Sequence, residues 1–130
     1  MKRTTLTLLL LGALGAAHAG AVDDLLARYA TAGAGPFDTH RGAAFWQTMR
    51  PGPDGKSRSC GDCHGDELTR SGRHVRTRKP IEPIAPSANP KRLTDTAEIE
   101  KWFRRNCDWT VGRECTAQEK GDLLAFLRTL

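Results

Sequence analysis

One run in the chain places reactive side chains at a spacing that defines a chemistry: Cys60-Gly61-Asp62-Cys63-His64. In a C-x-x-C-H run the two thiols can add to the vinyl groups of a haem, and the imidazole of the next residue reaches the iron. The cofactor implied is one covalent haem c, with Cys60 and Cys63 as thioethers and His64 as the proximal iron ligand. Two other chemistries use the same residue types. A thioredoxin-like redox pair needs its C-x-x-C at a strand-to-helix junction, and no β-α-β pattern surrounds Cys60. A zinc site built from all four cysteines needs a second close pair, whereas Cys107 and Cys115 are eight positions apart.

The distal side of such an iron needs a second partner or stays open. Electron-transfer cytochromes c usually supply a methionine from beyond the attachment motif, but the two methionines here, Met1 and Met49, both precede it. Met49 reads as a core residue on the apolar face of a helix. Among the histidines, His18 falls in the N-terminal leader and His40 near a helix start. His74 sits in a basic loop, where ligation and plain solvation are both open to it. Asn106 shares a helix face with Ile99, Trp102 and Phe103, which puts an amide on a surface the pattern marks as buried. A buried amide needs partners. A haem role and a side chain capping the end of its helix satisfy that need equally. Asn89, before Pro90, reads as a turn residue. Cys107 and Cys115 are left over after attachment. In an oxidising compartment they are expected to pair, closing a small loop worth about 2–3 kcal/mol and tying two helix ends together. Two free buried thiols are the other reading.

The elements that must position these residues are mainly helical. Val22, Leu25, Leu26 and Tyr29 recur at helical spacing, with Asp23 and Asp24 in the first turn and Gly33 placed to stop the helix. A second helix is expected from Thr39 to Met49, burying Gly42, Phe45, Trp46 and Met49 before Pro51-Gly52-Pro53 breaks it. Pro80, Pro83, Pro86 and Pro90 mark residues 75–93 as an extended loop wrapping a surface. Asp95 with Glu98 and Thr116 with Glu119 resemble capping boxes that open a third and a C-terminal helix, the latter carrying Leu123, Leu124, Phe126, Leu127 and Leu130. No internal repeat and no convincing strand is visible. The fold expected is all-α with long loops.

Met1-Lys2-Arg3, an uncharged leucine-rich stretch from Thr4 to Ala17, and Ala17-His18-Ala19 as an A-x-A site read as a cleavable signal peptide over residues 1–19. Its apolar run is too short to span a bilayer, and no later one is longer. Export to the periplasm without membrane insertion is therefore expected, with residues 20–130 as one haem-bearing domain. Losing Lys2 and Arg3 leaves 18 basic against 15 acidic residues, a net charge of +3. That excess is modest, and export excludes nucleic acid as a partner. The cations cluster at Arg70, Arg73, Arg76, Arg78 and Lys79, either as a solvated loop or as a docking surface for an acidic partner or for haem propionates.

Beyond the attachment motif, the chain resembles a known group. Lys101-Trp102-Phe103-Arg104-Arg105-Asn106-Cys107, the Cys107 to Cys115 spacing, the segment Cys115 to Asp122, and the proline loop Ile81 to Pro86 are similar to the sphaeroides haem protein group of c-type cytochromes. The resemblance runs from about Gly42 onward. It implies a class I-like monohaem cytochrome c with Asn106 as distal iron ligand in the oxidised state and a Cys107–Cys115 disulfide beside it. It also implies loss of that ligand on reduction, electron transfer, and binding of small diatomics such as oxygen and nitric oxide. A redox partner protein follows from the same resemblance, a dihaem cytochrome c or a membrane b-type cytochrome being the donors it suggests. The alternatives are a conventional low-spin electron carrier, a haem gas sensor, or a peroxidase-like enzyme, for which no distal histidine and arginine pair is evident. The sequence leaves enzymatic turnover undecided.

Overall fold

The computed structural model describes residues 20–130. The expected signal peptide lies outside the described residues. Helices α1 (Ala21–Thr31), α2 (Thr39–Gln47), α3 (Gly61–His64), α4 (Thr96–Val111) and α5 (Ala117–Leu127) account for most of the regular structure. Four two-residue strands form two antiparallel bridges that were not legible as strands: β1 (Arg50–Pro51) with β2 (Ser57–Arg58), and β3 (Gly72–Arg73) with β4 (Pro80–Ile81). Among the described residues no helix is long and apolar enough to cross a membrane.

The apolar periodicity of α1 buries Val22, Leu25 and Tyr29, which meet Ile99 of α4 and Leu124 of α5 in one cluster. A second cluster joins Phe45 and Trp46 of α2 to Leu68, Cys107, Cys115, Leu123 and Leu127. Helices α2 and α5 cross closely because Gly42 has no side chain. A Cβ there would lie 2.0 Å from the Asp122 carbonyl oxygen. At the same crossing the Asp122 carboxylate accepts from Arg41 Nε and Nη2, both at 2.8 Å, and from the Asp38 N–H at 2.7 Å.

Helix α2 ends two residues earlier than its apolar pattern suggests, and Met49 is 54% exposed instead of buried. The cause is Arg50. Its guanidinium donates to the carbonyls of Phe45 (2.8 Å) and Thr48 (3.0 Å) and lies 3.9 Å from the centre of the Phe45 ring. One carbonyl of the last helical turn, that of Phe45, and the carbonyl of the capping Thr48 are thereby satisfied by a side chain that already sits in the hairpin β1–β2.

The capping signals hold to different degrees. Thr116 and Glu119 form the full reciprocal box at the start of α5. Asp95 accepts the Glu98 N–H at 2.8 Å, but Glu98 spends its own carboxylate on Lys101 and on Trp102 Nε1, both at 2.7 Å. The proline loop wraps the surface as expected and is pinned through buried Ala85, whose N–H reaches the Leu68 carbonyl at 3.1 Å.

Candidate functional site

The attachment motif is built by backbone contacts to its neighbours. Hairpin β1–β2 returns the chain to the end of α2, where the Cys60 N–H donates to the Trp46 carbonyl at 3.2 Å. The Asp62 carboxylate accepts the Ser59 N–H at 2.7 Å and closes the turn from below. The Cys60 carbonyl then accepts from the N–H groups of Cys63 (3.3 Å) and His64 (3.2 Å), so one helical turn carries both thiols and the imidazole. On the other side β3 presses on this turn. A Cβ at Gly72 would fall 2.2 Å from the Cys63 carbonyl oxygen, so the close approach depends on glycine there. The Val75 N–H points at Cys63 Sγ at 3.5 Å.

These residues line a cleft of about 790 Å³ whose opposite wall is α4, contributing Trp102, Asn106 and Trp109. That volume lies within the roughly 300–1,000 Å³ usual for small-molecule and cofactor pockets. The cleft thus brings together Cys60, Cys63, His64 and Asn106, which are up to 46 positions apart in the chain. His64 packs against the Trp46 ring, centroids 5.1 Å apart. Burial, helped by the nearby Arg92 charge, pushes its imidazole down to about 4, so it is neutral and its lone pair is free for a metal. Burial likewise pushes the Cys60 thiol up to about 11.

Asn106 does not end its helix. Helix α4 continues to Val111 and closes on Gly112 in the left-handed conformation, which removes the capping explanation for this amide. Nor is the face it shares uniformly buried: Ile99 is, whereas Trp102 is 40% exposed and Asn106 is exposed, both lining the cleft. The next residue, Cys107, is buried and joined to Cys115 in a disulfide that holds the later turns of α4 to the start of α5. With that pair bonded, the four-cysteine zinc site falls away.

The remaining candidates sort by position. His40 is exposed at the start of α2 and, like Met49, lies away from the cleft. His74 does line the cleft, but its Nδ1 accepts the N–H groups of Arg76 and Thr77, each at 3.2 Å. A neutral His74 therefore carries its proton on Nε2 and offers the cleft a donor in place of a lone pair.

The donor set of the cleft tests whether a haem fits. Trp46 Nε1 and Trp109 Nε1 are buried N–H groups with no partner among the described residues, and both indoles line the cleft. Orphaned donors of this kind mark a missing acceptor. Arg58, Lys79, Arg92 and Arg105 line the same space against one acid, Asp108. The guanidiniums of Arg58 and Arg76 lie 4.2 and 4.8 Å from the Trp109 ring centre. Apolar aromatic walls, spare N–H donors and excess positive charge suit a flat macrocycle bearing two carboxylates. Sequence reasoning missed Trp109 and Arg58. The stripe Ile99, Trp102, Phe103, Asn106 extended by one more turn reaches Trp109 and Thr110, a signal lost by reading the helix as ending near Cys107.

Fold and site together define an all-α, class I-like c-type cytochrome with one covalent haem. A family model described as a domain of unknown function (DUF1924) matches residues 32–127. The cytochrome c-type protein SHP of Cereibacter sphaeroides is 48% identical over 103 residues, 79% of either chain. The chain belongs to the sphaeroides haem protein group of c-type cytochromes. The structure of oxidised SHP, an oxygen-binding cytochrome c, is similar with a TM-score of 0.77 at 45% identity, covering 85% of this chain and 98% of that one. Cytochrome c'' of Methylophilus methylotrophus is 34% identical over 88 residues, 68% of this chain and 61% of that protein. Its solution structure, which bears on haem-ligand detachment, is similar with a TM-score of 0.71 at 30% identity, covering 84% of this chain and 93% of that one.

Proposed function

We propose that this protein exchanges electrons through its haem and binds small diatomic ligands, oxygen and nitric oxide among them, when reduced. Cys60 and Cys63 hold the cofactor as thioethers, His64 supplies the proximal nitrogen, and Asn106 supplies a distal oxygen in the oxidised state. The haem, when bound, provides the one-electron couple and the coordination site. The observation that carries this reading is the joint presence of His64 and Asn106 in one cleft, with no methionine lining it.

An amide oxygen is a hard, weak donor that suits Fe(III) better than Fe(II), so Asn106 would hold the oxidised iron and leave the reduced iron open to a diatomic. The group's relatives support this. SHP is an oxygen-binding cytochrome, and haem-ligand detachment is a property addressed in cytochrome c''. Residues 1–19 act as the signal peptide, and residues 20–130 form a single domain that works in the periplasm. Its electron donor is a redox protein, with a dihaem cytochrome c or a membrane b-type cytochrome as candidates.

Optical spectra with and without carbon monoxide test the reading. The oxidised protein should be high-spin, and the reduced protein should bind carbon monoxide. Asn106→Met should give a low-spin spectrum, raise the potential and slow carbon monoxide binding, since a thioether holds both oxidation states. A low-spin wild type in both states, indifferent to carbon monoxide, defeats the assignment.

A further inference from the structure

A second cavity of about 290 Å³ lies beside the cleft. Its floor is apolar, made by Ile84, Ile99, Phe103, Leu124 and Leu127, and its mouth carries polar side chains such as Glu82 and Lys91. Two residues, Arg92 and Trp102, line both the cavity and the cleft. Trp102 is the aromatic part of that shared wall. Its Nε1 donates to Glu98 at 2.7 Å, and the cations of Lys101 and Arg105 lie 5.3 and 5.2 Å from its ring centre. Asn106 follows Trp102 by four residues on the same face of α4, so the Trp102 end of the shared wall lies next to Asn106, while Arg92, the other shared residue, lies near His64.

We propose that this cavity is the access chamber through which a neutral diatomic gas passes from solvent, past Trp102, to the Asn106 side of the haem cleft. The proposal rests on the diatomic-binding reading above and adds the route and the residues that control it. Oxygen, nitric oxide and carbon monoxide are small and nearly apolar. An enclosed apolar protein void of about 150 Å³ stays dry and takes up benzene or xenon; this cavity opens to solvent at its polar mouth, and its apolar floor is the part where such gases would collect. The cleft itself is the space the haem would fill, with its N–H donors and cations turned to the haem carboxylates, so an apolar space beside it is where such gases would collect. Leu93, a further lining residue, has a backbone φ of 59°, a conformation that leucine tolerates only where its surroundings hold it.

Xenon is the probe, since it enters apolar voids without needing iron. Diffraction from xenon-pressurised crystals of the oxidised holoprotein should place xenon against Ile84 and Phe103, and Ile84→Trp should remove it. The same variant should slow carbon monoxide association with the reduced protein about tenfold, equivalent to about 1.4 kcal/mol of barrier, with both optical spectra unchanged. Glu98→Ala alters an exposed side chain, frees Trp102 from its hydrogen bond, and should accelerate association; it keeps the test alive if Ile84→Trp does not fold. Xenon absent from the wild type, or wild-type association rates in the folded variants, overturns the route. A reduced wild type that ignores carbon monoxide overturns the functional reading and the route with it, and the spectrum shows this before any variant is made.

Discussion

At the scale of single residues, the attachment chemistry is set by side chains whose protonation the fold already controls. His64 is neutral because its burial opposes a charge. Cys60, at the N-cap of α3, and Cys63 within it stand about one turn apart, so both can reach the edge of one macrocycle. Two thioethers are expected from this arrangement. On denaturing electrophoresis the haem should remain with the polypeptide, and Cys60→Ala/Cys63→Ala should release it; full extraction of haem from the wild type by acid acetone would contradict the assignment. Trp109 shows what the same scale contributes to binding. Two guanidiniums over its ring polarise the indole, which strengthens its unpartnered N–H as a donor toward a carboxylate.

Between elements, close approach and charge decide the geometry. Burial alone would raise the Asp122 carboxyl, but bonds from Arg41, the Asp38 N–H and Gln118 outweigh it and hold the group below the usual carboxylate range. A lowered folded pKa contributes stability that is complete above the unfolded value, about 3.9, and is lost as pH falls through the folded value. Denaturant unfolding should therefore show stability declining as the medium is acidified below about pH 5. Asp122→Asn should cost roughly 1–3 kcal/mol at neutral pH and flatten that decline. An unchanged slope would show that the α2–α5 crossing does not depend on this charge. Gly72→Ala probes the other close approach. Its methyl group would force β3 off the Cys63 carbonyl, and overpacking of this kind costs about 1–3 kcal/mol, readable as a lower melting temperature of the holoprotein. A variant as stable as the wild type would mean the loop shifts freely.

For the whole molecule, the distribution of charge matters more than its sum. The loop that bears Arg73, Arg76 and Lys79 packs against Cys63 Sγ through the Val75 N–H, and Lys79 lines the cleft. The basic patch thus lies beside the thiols that would hold the haem. An acidic partner docking there should react more slowly as salt rises. Arg73→Glu should slow reduction by such a partner and weaken the salt dependence in stopped-flow traces. Arg73 is the cleaner choice, because Arg76 also covers Trp109. Rates indifferent to both salt and substitution would leave the loop as a solvated surface.

Five contiguous residues determined the cofactor, because C-x-x-C-H places its reactive groups through backbone neighbours alone. Helix starts at Thr96 and Ala117 were legible for the same reason: a cap and the N–H it satisfies lie within four positions. The resemblance named Asn106, and periodicity set it on one face with Trp102, but whether that face was core or cleft depended on what stood opposite. Met49 turned outward because Arg50, from the following hairpin, took the carbonyls at the end of α2. His74 became a donor because two N–H groups of its own loop closed on Nδ1. Which cations reach the cleft, and that a second cavity with an apolar floor adjoins it behind Trp102, follow from how α4, α5 and the proline loop stand around these spaces. Contacts across such distances in the chain are fixed by which surfaces exclude water together, and local spacing carries no record of that.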